Sequence, residues 1–201
     1  MRSLTSQTHL FKRAATEAST ALSKWLGRPT SITINRVSVL PITEAVKLLG
    51  AADTPLVACA MQITGPFSGL LVLTSDDGSG LALADMLLGR TVGSTNSWGE
   101  VEQSAAVETA NIIGCAYLNA MAGADDAATL SPRDTAVGCE QPLLPSPPWF
   151  TRDYAAAVMQ SILMSQASLA DDVFLTHTDF RVDDMPGACS LLFIPAAEDL
   201  D

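Results

Sequence analysis

Ser104, Glu108 and Asn111 bring a hydroxyl, a carboxylate and a carboxamide together in an otherwise apolar part of this chain of 201 residues. On a helix, at about 100° per residue, these three and Cys115 fall within a sector of roughly 60°. The opposite sector carries Ala106, Ala110, Ile113, Tyr117 and Ala120, a face built to pack. A long surface helix usually covers its solvent side with Lys, Glu and Arg pairs. Between positions 105 and 123 this one offers Glu108 as its single carboxylate and no cation at all. A carboxamide can both donate and accept hydrogen bonds without carrying charge. On spacing alone the ridge reads first as a few solvent residues on a helix that is otherwise buried, because an i, i+3 polar pair is common.

No other constellation competes. The two histidines, His9 and His177, lie far apart, so neither a Ser-His-Asp arrangement nor a metal cluster forms from the sequence. Cys59, Cys115, Cys139 and Cys189 are scattered, with no C-x-x-C pair, and read as small apolar side chains. The Gly-Ser-Gly at 78–80 lacks the lysine of a phosphate-binding loop. His177 and Trp149 are assigned to structure. No cofactor or metal is expected on this chain.

The elements that must hold the ridge follow from periodicity. Residues 9–26 repeat Phe11, Ala14, Ala15, Ala18 and Leu22 at helical spacing, with Gly27 and Pro29 ending the run. Residues 31–40 alternate as a strand, and the apolar runs PLVACAMQI and SGLLVLT form a strand pair. SGLALADMLLGR is a short helix with Gly89 at its C-terminal cap. The polar linker TVGSTNSWGE leads into the principal helix, residues 99–122. An irregular, Pro-rich connection follows, then a helical segment over 151–167, and DVFLTHTDFRV and GACSLLFIP close the chain as strands. The order repeats itself, which predicts a duplicated unit: an α/β (α+β) sandwich of mostly antiparallel strands with long helices packed on it.

Composition limits the partners. A formal net charge of -11, with 11 Lys and Arg in total, provides no basic footprint for nucleic acid or an anionic membrane. The first ten residues lack a signal peptide's apolar run, and no later stretch reaches about 18 uninterrupted apolar residues. A cytoplasmic protein that meets another protein or a small ligand is expected.

The segment EVEQSAAVETANIIGCAYLNAMA resembles the second signature of the CheC/CheX/FliY family, phosphatases of the phosphorylated response regulator CheY. That signature is Asp or Ser, three residues, Glu, two residues, Asn, and a Pro about 23 positions further on. Ser104, Glu108 and Asn111 match it. ALSKWLGRPTSI, GPFSGLLVLTS, LALADMLLGR and DVFLTHTDFRVDDMPGACSLLFIP extend the resemblance over nearly the whole chain.

The resemblance implies a single CheC-like domain, residues 1–201, made of two pseudo-two-fold repeats over about 9–98 and 99–201. It implies that Glu108 and Asn111 are the catalytic pair, with Ser104 and Pro132 in supporting places. Asn111 would position water for in-line attack on an aspartyl phosphate, and Glu108 would pair with a partner lysine. The Mg2+ belongs to the regulator. Expected partners are a phosphorylated CheY-like regulator, with CheD and a second copy of the chain as further candidates. A noncatalytic adaptor for CheD, a regulator or a flagellar switch component is the alternative.

Two features depart from the family pattern. Pro132 comes early, and strict spacing lands on Asp134. In the first repeat, His9, Lys12 and Asn35 stand where Glu, Asn and Pro are expected, so that site is degenerate. The small Ala105, Gly114 and Cys115 would either let a partner approach the helix or serve packing inside this protein.

Overall fold

The computed structural model describes residues 4–41, 44, 47, 51–65, 68–129, 143–166, 172–183, 187 and 189–196. Pro132, Asp134 and Cys139 lie outside the described residues, as do the side chains of His9, Asn35 and His177.

The chain runs α1 (Leu4–Leu26), β1 (Thr30–Pro41), β2 (Pro55–Thr64), β3 (Gly69–Ser75), α2 (Asp77–Leu87) and α3 (Glu100–Thr129). Then come β4 (Leu144–Pro145), β5 (Trp149–Tyr154), α4 (Ala155–Gln166), β6 (Asp172–Val182) and β7 (Cys189–Pro195). The first and principal helices thus extend past their expected ends, at residues 9 and 122.

Helix ends follow local chemistry. After α1, Gly27 takes φ +63°, and after α2, Gly89 takes φ +65°, a conformation that costs glycine no Cβ clash. Beyond each glycine the next amide turns back to the helix: Arg28 N donates to Ser23 O and Arg90 N to Asp85 O. At its start, α2 is capped by Asp76, whose side chain accepts from Ser79 N.

All strand pairs are antiparallel, and the sheet order is β1-β6-β7-β3-β2-β4, with β5 also paired to β2. Matching β1 to β5, β2 to β6 and β3 to β7 makes this order read the same from either edge. The axis of that symmetry falls between β3 and β7, which pair from Gly69↔Pro195 to Ser75↔Cys189.

The near-continuous apolar runs of β2, β3 and β7 arise because both faces of the sheet are covered. Cys59, Met61, Ile63, Leu71, Leu73, Leu191 and Phe193 point into one core, shared with Ala18 and Leu22 of α1 and Ala110, Ile113, Tyr117 and Leu118 of α3. Leu56, Ala58, Ala60, Leu70, Val72, Leu192 and Ile194 point to the other, under Ala155, Val158, Met159 and Ile162 of α4. Alternate side chains on one strand therefore serve opposite cores.

One element differs from the periodicity reading. Residues 151–154 are expected to begin a helix, yet they belong to β5, with Leu56↔Asp153 and Ala58↔Thr151 in register with β2. The helix starts only at Ala155, whose N–H donates to Thr54 O. Pairing with a sheet neighbour overrides the weak local preference of Thr-Arg-Asp-Tyr. The Pro-rich connection likewise contributes β4, where Ile63 pairs Pro145 and Ser146 N donates to Gln62 O at 2.8 Å.

Candidate functional site

The ridge is set by how α3 begins. Gly99 precedes its first residue, and Glu102 reaches back so that Gly99 N–H donates to Oε2 at 3.0 Å, half of a capping box. Glu100 and Glu102 place negative charge in the first turn, where the helix dipole favours it. The second oxygen of Glu102 meets Arg90 Nη1 at 2.6 Å, and that guanidinium holds the Glu102 carboxyl below its usual range.

Two further tethers fix the approach to α3. Buried Asp85 of α2 accepts from Ser94 N at 3.0 Å, Thr95 N at 3.2 Å and Thr95 Oγ1 at 2.5 Å. Burial acts to raise its carboxyl, and the hydrogen bonds from Thr95 and from the backbone at 93–95 outweigh that, leaving it below the usual value. Trp98 Nε1 donates to Asp77 at 3.0 Å, and Arg152 of β5 clamps the same carboxylate through Nε at 2.8 Å and Nη2 at 2.6 Å. The Arg152 bonds, then Trp98, hold Asp77 below its usual range. The Trp98 ring lies 5.1 Å from that of Phe150 and covers Gly80, where an added Cβ would stand 2.7 Å from Trp98 Cζ2.

On this anchored helix Ser104 and Glu108 are exposed, and Asn111 and Cys115 are half-buried. The face opposite is buried at Ala110, Ile113 and Tyr117. The helix therefore presents a hydroxyl, a carboxylate and a carboxamide in one line. Cys115 Sγ donates to Asn111 Oδ1 at 3.7 Å. This arrangement suits a surface that enters a partner's site, since it holds polar atoms outward on a rigid rod.

Gly114 takes the internal of its two readings. It is buried, and an added Cβ would stand 2.4 Å from Met61 Sδ and 3.3 Å from Leu71 Cδ2. Its smallness brings α3 down onto the sheet and leaves nothing for a partner. Ala105 and Cys115 remain half-buried at the flank of the ridge.

On α1, Ala15 and Ala18 are buried at the same spacing as Gly114 and Tyr117 of α3. That register matches His9 and Lys12 to Glu108 and Asn111. Lys12 is exposed, so α1 presents a cation where α3 presents a carboxamide. Asn35 falls at a bulge: Ile34 pairs Thr178 and Arg36 pairs His177, leaving Asn35 outside the ladder. A bulge is where a sheet tolerates proline, so the backbone at Asn35 suits the residue that the resemblance expects there.

Among the described residues no group of three or more His, Cys, Asp or Glu could hold a metal ion, and no helix is long and apolar enough to cross a membrane. The tethers escaped the sequence reading because they join distant segments. Their one local signal was Asp85, a carboxylate inside the apolar run LALADMLL, followed by the Ser-Thr-rich linker that it binds.

No family model matches the chain. No curated protein matches it either. Solved structures do. FliY from Thermotoga maritima superposes with a TM-score of 0.71 at 18% identity, over 94% of this chain and 87% of that one. FliM in the FliG-FliM complex from H. pylori gives 0.64 at 12% identity, over 95% and 92%. CheX in the CheX-CheY-BeF3-Mg complex from Borrelia burgdorferi gives 0.56 at 14% identity, over 94% and 96%. The chain has the CheC-like fold, that of the family it resembles in sequence.

Proposed function

We propose that this chain, a CheC-like fold with one intact signature helix, dephosphorylates a CheY-like response regulator by docking α3 against the regulator's phosphorylation site. The observation that carries this reading is the ridge itself: exposed Glu108 and half-buried Asn111, in family register, on a helix whose start is held by Arg90 on Glu102 and by Asp77 on Trp98, with Asp85 and Arg90 both bound to Thr95 just before it. CheX, which shares the fold, has been solved with CheY, BeF3 and Mg2+.

An aspartyl phosphate is a reactive acyl phosphate, and the regulator supplies the Mg2+ and lysine that neutralise its oxygens. The helper's task is to place water in line. Asn111 accepts a hydrogen bond from that water through Oδ1 without setting a negative charge beside the phosphoryl oxygens, and both water hydrogens leave with the phosphate. Water oxygen bonds phosphorus, the bond from phosphorus to the aspartyl oxygen breaks, and inorganic phosphate leaves with the aspartate restored. Glu108 pairs with a regulator lysine and sets depth and register. Ser104 supports the ridge one turn earlier, and Pro132 belongs to the same signature.

The test is decay of a receiver domain from the same genome, phosphorylated with acetyl phosphate. Catalytic amounts of wild-type protein are expected to speed the decay, and Asn111→Ala and Glu108→Lys to slow it. Decay that the wild type does not change, or that both variants match, removes the proposal.

The degenerate first repeat, with exposed Lys12, favours a second reading: a noncatalytic adaptor. FliM has this fold and has been solved with FliG and with SpeE. CheD, a regulator or a flagellar switch component would be its partner. Regulator binding without faster phosphate release at substoichiometric protein would select this reading over the enzyme.

A further inference from the structure

The three cysteines among the described residues differ in kind. Cys59 and Cys189 are buried on β2 and β7, and burial pushes both thiols up to about 12, so they serve as apolar packing. Cys115 stands apart, half-buried on the ridge one turn beyond Asn111, with its Sγ 3.7 Å from Asn111 Oδ1.

We propose that Cys115 is a positioning residue for Asn111, its S–H holding Oδ1 so that the carboxamide meets the attacking water oxygen-first. The proposal rests on the phosphatase reading of α3. A surface carboxamide has two flips, which exchange an acceptor for a donor. With Oδ1 toward the water, the amide accepts a hydrogen bond from it and leaves a water lone pair free for phosphorus. With Nδ2 toward it, the amide donates to the lone pair that must attack. A thiol is a weak donor and a weak acceptor, and here the S–H donates, which places Oδ1 on the Cys115 side. Oδ1 has two lone pairs: the thiol takes one and the water the other.

The competing role of Cys115 is that of a small side chain at a crowded flank. The two roles rank substitutions in opposite order. A donor is kept by Cys115→Ser and lost in Cys115→Ala, whereas plain apolar packing tolerates Ala at least as well as Ser.

The experiment measures kcat and KM for dephosphorylation by wild type, Cys115→Ala and Cys115→Ser, alongside the Asn111 side-chain amide resonances of each protein. Cys115→Ala is expected to lower kcat about fivefold with KM unchanged, the signature of a misoriented group in a docked complex. Cys115→Ser is expected to return kcat to within about twofold of wild type, and the Asn111 resonances should shift in the Ala variant and return in the Ser variant. Equal kcat in wild type and Cys115→Ala, or a Ser variant worse than Ala, overturns the proposal. A wild type without phosphatase activity overturns the parent reading and the catalytic meaning of the contact, while the resonances separately show whether the thiol holds the amide.

Discussion

Trp98 donates its indole N–H to Asp77 at 3.0 Å, tying the residue just before the cap of α3 to the first residue of α2. The bond fixes where the ridge-bearing helix starts, and the ring adds its contact with Phe150 and its cover over Gly80.

Trp98→Phe removes the donor and trims the indole to a single ring, so the lost bond sets the least that the change should cost. Losing one such bond costs about 1 kcal/mol, which for a chain of this size lowers Tm by about 3 °C. Arg152→Ala should shift Tm less, because its guanidinium is half in solvent. Thermal unfolding of both variants checks the ranking, and a larger loss at Arg152 would contradict it.

Gly114→Ala separates helix propensity from packing. Propensity alone favours alanine by about 1 kcal/mol in a helix interior. The added methyl would meet Met61 Sδ at 2.4 Å, and Met61 is only 1% exposed, so it cannot swing into solvent. The net expectation is destabilisation by about 1–3 kcal/mol. Met61→Leu, which shortens that side chain, should recover part of the loss in the double variant. A stabilised single variant would mean that the core yields easily there.

Much of the ridge was legible because helical spacing is local: Ser104, Glu108 and Asn111 fall in line on any helix. The double apolar faces of β2 and β3 were equally visible as unbroken runs. Residues 151–154 were not, since their strand state comes from pairing with β2 rather than from their own composition. Nor was the clamp of Arg152 on Asp77, whose partners stand 75 positions apart. Gly114 shows a third limit. A small residue signals close approach without saying whether the neighbour is a partner or the protein's own sheet.

Acid should loosen the seat of α3. Asp77, Asp85 and Glu102 all have carboxyls held below their ordinary values in the folded chain. A carboxyl depressed by folding gives stability that is complete above its unfolded value, about 4, and is lost as pH falls through the folded value. Tm should hold from neutral pH to about 5 and then decline. Asp85→Asn should be less stable at pH 7, because an amide turns donors toward Ser94 and Thr95, and its decline in acid should be shallower. A decline as steep as the wild type's would show that Asp85 is not part of the acid response.

On the phosphatase reading, the two helices make opposite predictions about how many regulators one chain would bind. The sheet order is symmetric and the buried spacing of α1 repeats that of α3, so two docking faces would be expected if geometry alone decided. Chemistry decides differently. Exposed Lys12 replaces the carboxamide with a cation that would meet the regulator's own lysine and Mg2+, and like charges at close quarters oppose docking. Titration with a BeF3-activated receiver should therefore saturate at one receiver per chain. Lys12→Ala should leave both this ratio and the rate unchanged, while Asn111→Ala should lower kcat about a hundredfold. Saturation at two would show that α1 docks as well, and that the regulator is recognised by the shape of the helix pair more than by the polar line on α3.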